Sequence, residues 1–236
     1  MISKLRILVS EMRAARRRAK LRQIDFESGL GRSAWLLYGL VRSLRPRVCV
    51  EIGSARGCST AHIALGLRDN GMGELFAIDP HQPTEWNDLK SVDTQELLAA
   101  NLRLVGVRDR VNVIRKSSSD AARDWSRPID LLFIDGDHSL SGCRGDWDLF
   151  SPFVTQFGVV VFHDTTWEYH KDSKWYRSDC GVPAVVDDLR REGYPVISWD
   201  QDCGLSLVQP SRGGVPLVGQ DLQLSVAVPS DGPRPT

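Results

Sequence analysis

The feature that most constrains the fold of this chain is a short apolar run that leads through two glycines into a second apolar run. Val48–Ile52 is rich in β-branched residues, which is typical of a buried parallel strand. Gly53 and Gly57 follow, and the alanine-containing run 61–67 is typical of a helix. We expect a strand, a tight turn and a helix whose free N–H groups suit a carboxylate or phosphate. We expect Gly53 to let the chain turn sharply where a Cβ would clash, and Gly57 to let the helix begin close to the ligand. We also expect a side chain at position 53 to fill ligand space.

The spacing of these glycines differs from that of a dinucleotide-binding turn. A dinucleotide-binding turn has the pattern G-x-G-x-x-G, whereas this chain has G-x-x-x-G with a carboxylate, Glu51, just before it. An acid at that point suits a ligand with a positively charged amino group. The pattern resembles motif I of the class I S-adenosylmethionine-dependent methyltransferases, in which the acid faces the methionine end of the cofactor. By this resemblance the cofactor-binding residues of the turn are Glu51, Gly53, Ser54, Ala55, Gly57 and Ser59.

The rest of the chain alternates between strands and helices. The further strands are predicted at 75–78, 111–114, 129–134 and 159–162, and the helices at 33–44, 94–104, 143–150 and 183–192. Two last strands, 195–199 and 205–208, are joined by a connection so short that they form a hairpin. The expected fold is therefore α/β: a doubly wound, Rossmann-like sheet of seven strands, mostly parallel, with a C-terminal antiparallel hairpin.

The composition of the chain predicts three segments and a cellular compartment. We predict a basic helical N-terminal arm (1–32), a methyltransferase domain (33–209) and a Pro/Gly-rich tail (210–236). No apolar run approaches the ~20 residues of a membrane span, and the charged residues near the N-terminus do not form a convincing signal peptide. The odd number of cysteines and their scatter argue against a disulfide framework and a structural zinc site, and we expect a cytoplasmic protein. They are Cys49, Cys58, Cys143, Cys180 and Cys203.

The net charge of zero hides an asymmetry, because residues 1–50 hold 12 Lys and Arg against 3 Asp and Glu. The basic segment 13–22 could be a surface for anionic lipid, nucleic acid or an acidic partner. It could instead be a solvated helical arm that packs Ile7, Leu8 and Met12 on the body or on a second subunit. We favour the second interpretation, because no aromatic residues interleave the charges as a base-stacking platform requires. We expect a homo-oligomer and no nucleic acid, with peripheral membrane contact as the less favoured alternative.

Polar residues follow the strands at their carboxyl ends, where open α/β sheets bind ligands. Asp79 ends the second strand, where an acid can bond both ribose hydroxyls, although it could simply begin a turn before Pro80. Ser118 and Ser119 follow the third strand, where hydroxyls could reach an adenine edge or cap a helix.

Asp135 and Asp164 end strands that we expect to be neighbours, ~4.8 Å apart in the sheet. Two carboxylates so close repel each other unless a proton or cation lies between them, and hard oxygen ligands favour Mg²⁺ or Mn²⁺. The alternative is that each caps the segment that follows. His138 lies near the same rim, where an imidazole can take a proton at neutral pH. His163 should point away from the metal, because neighbours in an extended segment face opposite sides, unless the backbone turns at Asp164.

Three strings make the resemblance more specific: LFIDGDHS at 132–139, VVVFHDT at 159–165 and CGLSLV at 203–208. They resemble a methyltransferase branch, family 24, that includes macrocin-type sugar O-methyltransferases and proteins named cephalosporin hydroxylases, with a more distant similarity to catechol O-methyltransferase. The similarity covers roughly residues 35–208. It implies that Asp135 and Asp164 are catalytic metal ligands, with His163 as a further ligand and Asp135 also beside the cofactor. His138 would be the general base.

The predicted function is metal-dependent transfer of a methyl group from S-adenosylmethionine to a hydroxyl of a small molecule, a sugar or a glycosylated natural product. The metal would lower the pKa of a chelated hydroxyl, and His138 would remove its proton. Aromatic side chains after strand five could form the acceptor wall: Trp167, Tyr169, His170, Trp175 and Tyr176. Two alternatives stay open. One is a non-catalytic methyltransferase-like subunit, and the other is a metallohydrolase built on Asp135, Asp137, His138, His163 and Asp164.

Overall fold

The computed structural model describes residues 2–83, 86, 94–172 and 176–210, which form a seven-stranded sheet with helices on both faces. The strands are β1 (Val48–Ile52), β2 (Glu74–Ile78), β3 (Val111–Ile114), β4 (Ile129–Ile134), β5 (Val154–His163), β6 (Val196–Trp199) and β7 (Leu205–Val208). The helices are α1 (Ile2–Leu21), α2 (Ala34–Leu44), α3 (Cys58–Asn70), α4 (Thr94–Val105), α5 (Ser118–Arg123), α6 (Leu140–Phe150) and α7 (Val182–Arg191). No helix in these ranges is both long and apolar enough to cross a membrane.

The order of the strands confirms the predicted doubly wound sheet. The order is β3-β2-β1-β4-β5-β7-β6, with β1 to β5 parallel and β7 antiparallel to both of its neighbours. The β6–β7 connection turns through three consecutive residues with positive φ: Asp202, Cys203 and Gly204. So tight a turn cannot make the crossover that a parallel pair needs, so the last two strands form the expected hairpin.

Two elements begin three or more residues earlier than the sequence predicted. Strand β5 begins at Val154 instead of 159, and its register with β4 shifts between Ile129 and Leu131. Residues 154–158 include polar residues and a glycine, so they do not form the apolar run that predicts a buried strand. The strand nevertheless continues through them by an irregular pairing. Helix α6 begins at Leu140 instead of 143, because Ser139 caps it by accepting a hydrogen bond from the N–H of Gly142 at 3.0 Å.

The core lies in two layers, one on each face of the sheet. Leu131 and Phe133 of β4 join the layer formed with α1 to α4, and Leu132 and Ile134 join the layer formed with α5 to α7. Burial on both faces explains why the central strands are continuously apolar. The edge at the carboxyl ends of β1, β2, β4 and β5 is left for polar side chains, and the candidate site lies there. Of the predicted tail, 211–236 lies outside the described residues.

Candidate active site

The turn after β1 is shaped by contacts with the protein itself. Gly53 has a φ of +85°, and a Cβ on it would lie 2.0 Å from the carbonyl oxygen of Asp135. A Cβ on Gly57, whose φ is +89°, would lie 2.4 Å from Leu98 of α4. The sharp turn expected at Gly53, where a Cβ would clash, is confirmed, and the expected approach of a ligand to Gly53 and Gly57 stays a prediction. The two glycines allow the turn to pack directly against the end of β4 and against α4.

Glu51 is fully buried at the end of β1, beneath this turn. The Thr60 hydroxyl donates to its Oε2 at 2.6 Å, whereas its buried Oε1 has no hydrogen-bond partner among the described residues. Burial raises the pKa of Glu51 to about 8, although the hydroxyls of Ser59 and Thr60 act in the opposite direction. A buried carboxyl with one unused oxygen suits a ligand that brings a cationic amino group.

Asp79, at the end of β2, binds the backbone of the same turn. Its Oδ2 accepts hydrogen bonds from the N–H groups of Ser54 and Ala55 at 2.9 and 2.8 Å. Its Oδ1 accepts a hydrogen bond from the N–H of His81 at 2.6 Å. In this structure the carboxylate therefore holds the two strand ends together, and its expected contact with ribose stays a prediction.

The serines after β3 open the short helix α5. Ser117 is its cap, because its hydroxyl accepts a hydrogen bond from the N–H of Asp120. The Ser119 hydroxyl lies 3.0 Å from that of Ser117, and Ser118 faces the buried carboxyl of Asp146. The residue that caps the helix is therefore Ser117, and the expected contact of Ser118 and Ser119 with adenine stays a prediction.

Strands β4 and β5 are neighbours, as predicted, and they bring three polar side chains together. Donor atoms of Asp135, His138 and Asp164 all lie within 4.8 Å of one another. Nδ1 of His138 is 3.1 Å from Oδ2 of Asp164, and its Nε2 is 3.5 Å from Oδ1 of Asp135. Two carboxylates and an imidazole at this spacing form a donor set that fits a divalent cation.

His163 joins this cluster because the strand ends there. Asp164 has a φ of +59°, so the alternation of an extended chain no longer applies. Nδ1 of His163 lies 3.0 Å from Oδ1 of Asp135, and Nε2 lies 2.9 Å from the carbonyl oxygen of Asp202. Both ring nitrogens are engaged with the protein, and the expected role of His163 as a metal ligand stays a prediction.

The charges in the cluster shift one another's pKa values. Burial lowers the pKa of His163, but Asp164 and Asp135 outweigh it and raise that pKa to about 10. Burial also lowers the pKa of His138, but Asp135 and Asp164 outweigh burial, so the pKa of His138 is raised. Burial raises the pKa of Asp135, but the two histidines outweigh burial and lower this pKa to about 2. For Asp164 burial is the larger effect, so the pKa of Asp164 is raised. The carboxylate of Asp135 is therefore the more strongly stabilised of the two.

One aromatic side chain, Trp86 of the loop after β2, lies against His138, and the cationic side chain of Arg177 lies over Trp86 in turn. The Trp86 ring centroid is 5.2 Å from that of His138, and the guanidinium carbon of Arg177 lies 3.9 Å from the Trp86 ring centroid. The only signal for Trp86 was a lone aromatic in a polar loop, a signal too weak to place it.

The predicted acceptor wall is only partly assembled in the described residues. Trp167 and Tyr176 stack with ring centroids 6.2 Å apart. Tyr169 is 78% exposed, and His170 lies 3.5 Å from Asp200. Trp175 lies outside the described residues, and the role of this wall stays a prediction.

The strand order, the reversed β7 and the acid–glycine turn after β1 together define the fold of the class I S-adenosylmethionine-dependent methyltransferases. Residues 50–165 match the model of methyltransferase family 24, which is described as a methyltransferase domain.

Solved structures with the same fold share little sequence with this chain. Cofactor-bound Rv0187 from MTB is 19% identical with a TM-score of 0.61, covering 86% of this chain and 88% of that one. The O-methyltransferase TomG from Streptomyces achromogenes, in complex with SAM, is 20% identical with a TM-score of 0.59, covering 85% and 88%. The O-methyltransferase from Bacillus cereus, in complex with SAH, is 17% identical with a TM-score of 0.57, covering 76% and 81%.

Two curated relatives are similar in sequence. The uncharacterized protein y4gI of Sinorhizobium fredii is 30% identical over 190 residues, which are 76% of this chain and 21% of the relative. The uncharacterized protein R132 of Acanthamoeba polyphaga mimivirus is 29% identical over 154 residues, which are 61% of this chain and 62% of the relative. The matched region thus spans about a fifth of the first relative and less than two thirds of the second.

Proposed function

We propose that this chain is a metal-dependent O-methyltransferase that uses S-adenosylmethionine to methylate a hydroxyl of a small molecule, a sugar or a glycosylated natural product. The observation that carries the proposal is the shared edge of the sheet. There, the carboxylates of Asp135 and Asp164, both in contact with His138, lie beside a turn whose acid, Glu51, keeps a buried oxygen without a described partner. A cationic cofactor and a divalent cation would fill these two adjacent places.

The residues around the turn fit S-adenosylmethionine, which supplies a methyl group already activated by its sulfonium. Oε1 of Glu51 would accept a hydrogen bond from the amino group, and the raised pKa of Glu51 would fall again on binding a cation. Asp79 fixes the N–H groups of Ser54 and Ala55 and so keeps the turn in shape. TomG and the Bacillus cereus enzyme, which bind SAM and SAH, support this choice of cofactor.

Asp135 and Asp164 would hold the cation, which supplies a Lewis acid that lowers the pKa of a hydroxyl. The ring of His138 is oriented by Oδ2 of Asp164 at Nδ1, while Nε2 has only the longer, 3.5 Å contact with Asp135. Nε2 is therefore the nitrogen that accepts the proton of the acceptor hydroxyl. His163 keeps the Asp135 carboxylate ionised and in place.

The geometry favours this reaction over the metallohydrolase alternative. A hydrolase would need Asp137 and His163 as further ligands. Asp137 is exposed, and its Oδ1 accepts a hydrogen bond from the N–H of Ser139 at 2.8 Å, while both nitrogens of His163 are engaged. The described residues contain one candidate metal group, and it has three members. The same intact group argues against a non-catalytic subunit.

The test is a transfer assay with methyl-labelled S-adenosylmethionine and a panel of sugar, catechol and polyketide acceptors. It is run in Mg²⁺, in excess chelator, and after Mg²⁺ is restored. Calorimetry with S-adenosylhomocysteine measures cofactor binding separately. We expect chelator to abolish transfer reversibly while S-adenosylhomocysteine still binds. Asp164→Asn should be inactive, and Asp148→Asn, an exposed position on α6, should be as active as wild type. Full transfer in chelator would exclude the metal, and wild type that fails to bind S-adenosylhomocysteine would exclude the cofactor.

A further inference from the structure

The first helix, α1, lies on the body of the protein through one face only. Leu21 is buried in the core layer, and Ala14 and Arg18 are half-buried. The guanidinium of Arg18 donates to Oδ2 of Asp69 at 3.1 Å, which ties the C-terminal half of α1 to the end of α3. The opposite face of the helix is turned to solvent.

That outer face has an apolar part and a basic part. Leu8 and Met12 are each 57% exposed and Val9 is 39% exposed. Leu8 and Met12 therefore do not pack on the body, and the alternative expectation, that they pack on a second subunit, stays a prediction. The side chain of Ile7 lies outside the described residues. At about 100° per residue, Leu8, Val9 and Met12 lie within an arc of about 100°, and Arg16 lies inside the same arc.

The cations continue this arc toward the C-terminal end of the helix. Arg13 and Lys20 lie about 40° and 20° beyond its edge on the same count, and both are exposed, as is Arg16. An apolar patch at Leu8, Val9 and Met12 is thus followed, on one side of one helix, by a basic patch. A helix of 20 residues is about 30 Å long and can lie along a flat surface with both patches in contact.

The charge of α1 distinguishes among the surfaces that could bind this outer face. The helix carries seven Lys and Arg and one acid, Glu11. A second copy of α1 would bring the same seven cations against these, and like charges across an interface repel. Nucleic acid would bind the cations but leave Leu8, Val9 and Met12 in water. An anionic bilayer accepts both parts, because apolar side chains enter the headgroup boundary and cations meet anionic lipids.

We propose that the outer face of α1 is a docking surface for an anionic lipid membrane, on which the helix lies in the plane of the interface. Leu8, Val9 and Met12 enter the boundary between headgroups and acyl chains. Arg13, Arg16 and Lys20 contact the anionic headgroups. Arg18, which is bonded to Asp69, keeps the helix on the catalytic domain.

The test is co-sedimentation of the full chain with vesicles of phosphatidylcholine alone and with vesicles that contain phosphatidylglycerol as about one third of the lipid. At about 0.1 M salt, where the Debye length is about 10 Å, we expect at least about tenfold stronger partitioning onto the anionic vesicles. Arg13→Gln/Arg16→Gln should lower it about 30-fold, because each cation near the surface contributes about fivefold. Leu8→Gln/Met12→Gln, which leaves the net charge unchanged, should lower it at least about tenfold.

Matched controls come from the opposite side of the sheet. Leu149→Gln on α6 replaces a leucine that is 37% exposed, and Arg191→Gln on α7 replaces an arginine whose side chain is 73% exposed. Both controls should partition as wild type does, with circular dichroism confirming that every variant is folded. Equal sedimentation with both vesicle types, sedimentation with neither, or wild-type binding by Leu8→Gln/Met12→Gln would each overturn the proposal. So would a dimer without lipid that Leu8→Gln/Met12→Gln abolishes, because α1 would then be a subunit interface.

Discussion

Nδ1 of His163 donates to Oδ1 of Asp135 at 3.0 Å, while Nε2 of the same ring donates to the carbonyl oxygen of Asp202 at 2.9 Å. One imidazole therefore joins the ends of β4 and β5 to the β6–β7 turn. Donation from both nitrogens requires a protonated ring. Burial opposes that charge, but Asp164 and Asp135 raise the pKa of His163 to about 10. His163 is thus a clamp that fixes the Asp135 carboxylate.

Replacing this clamp should destabilise the protein. We expect His163→Ala to lower the free energy of unfolding by about 3–5 kcal/mol, because removing one partner of a buried ion pair leaves the other charge uncompensated. Urea denaturation at pH 7 in the presence of chelator measures the change. His170→Ala is the control, since its ring is 31% exposed, and it should change the free energy by less than about 1 kcal/mol. A His163→Ala protein as stable as wild type would show that the clamp contributes nothing.

Glu51 should make stability depend on pH. Its pKa is raised from 4.5 to about 8 in the folded protein, so its contribution to stability is fully present below pH 4.5 and is lost as pH rises through 8. Glu51→Gln removes this loss, and at pH 8 the variant should be more stable than wild type by more than about 1 kcal/mol. Urea denaturation of both proteins at pH 5 and pH 8 measures the difference. The same variant should bind S-adenosylhomocysteine more weakly, and identical pH slopes for the two proteins would contradict the assignment.

Gly53 should contribute to the stability of the fold. A Cβ there would meet the carbonyl oxygen of Asp135 at 2.0 Å with a φ of +85°, so Gly53→Ala should lower the free energy of unfolding by roughly 2–5 kcal/mol. Gly145→Ala in α6 is the control: its added Cβ meets nothing within 4 Å, and it should stabilise the helix by about 0.5–1 kcal/mol. Thermal denaturation of both variants measures the contrast. A Gly53→Ala protein with wild-type stability and impaired ligand binding would show instead that the position faces the ligand.

The predictable parts of the site are those that follow from the regularity of strands. Because parallel strands end at one edge, the sequence placed Asp135 and Asp164 together and put Glu51 and Asp79 near the same turn. The neighbouring strands and the C-terminal hairpin followed from apolar runs and from the shortness of one connection. Each of these inferences uses either an apolar run or the length of a connection, and a single sequence displays both.

The parts that could not be predicted depend on contacts between distant segments. The position of His163 depends on a left-handed backbone conformation at Asp164. Such a conformation is uncommon in residues other than glycine, and the pattern of residue types does not predict it here. The partner of Gly53 is a backbone oxygen after β4, and a partner of His163 is a backbone oxygen in the β6–β7 turn. Backbone atoms carry no signature of residue type, so these packing relations emerge only when the chain is folded.

The last prediction separates the two histidines by their effect on turnover. His138→Ala should lower turnover by about 10²–10⁴-fold, because the proposed proton acceptor is lost. Affinity for S-adenosylhomocysteine should stay near wild type, since Glu51 and the turn are untouched. His163→Ala should act through Asp135, so saturating Mg²⁺ should restore most of its turnover. The measurement is a Mg²⁺ titration of initial rate for both variants at saturating acceptor, with calorimetry for the cofactor. A nearly active His138→Ala protein beside a His163→Ala protein that stays inactive at saturating Mg²⁺ would assign the base to His163.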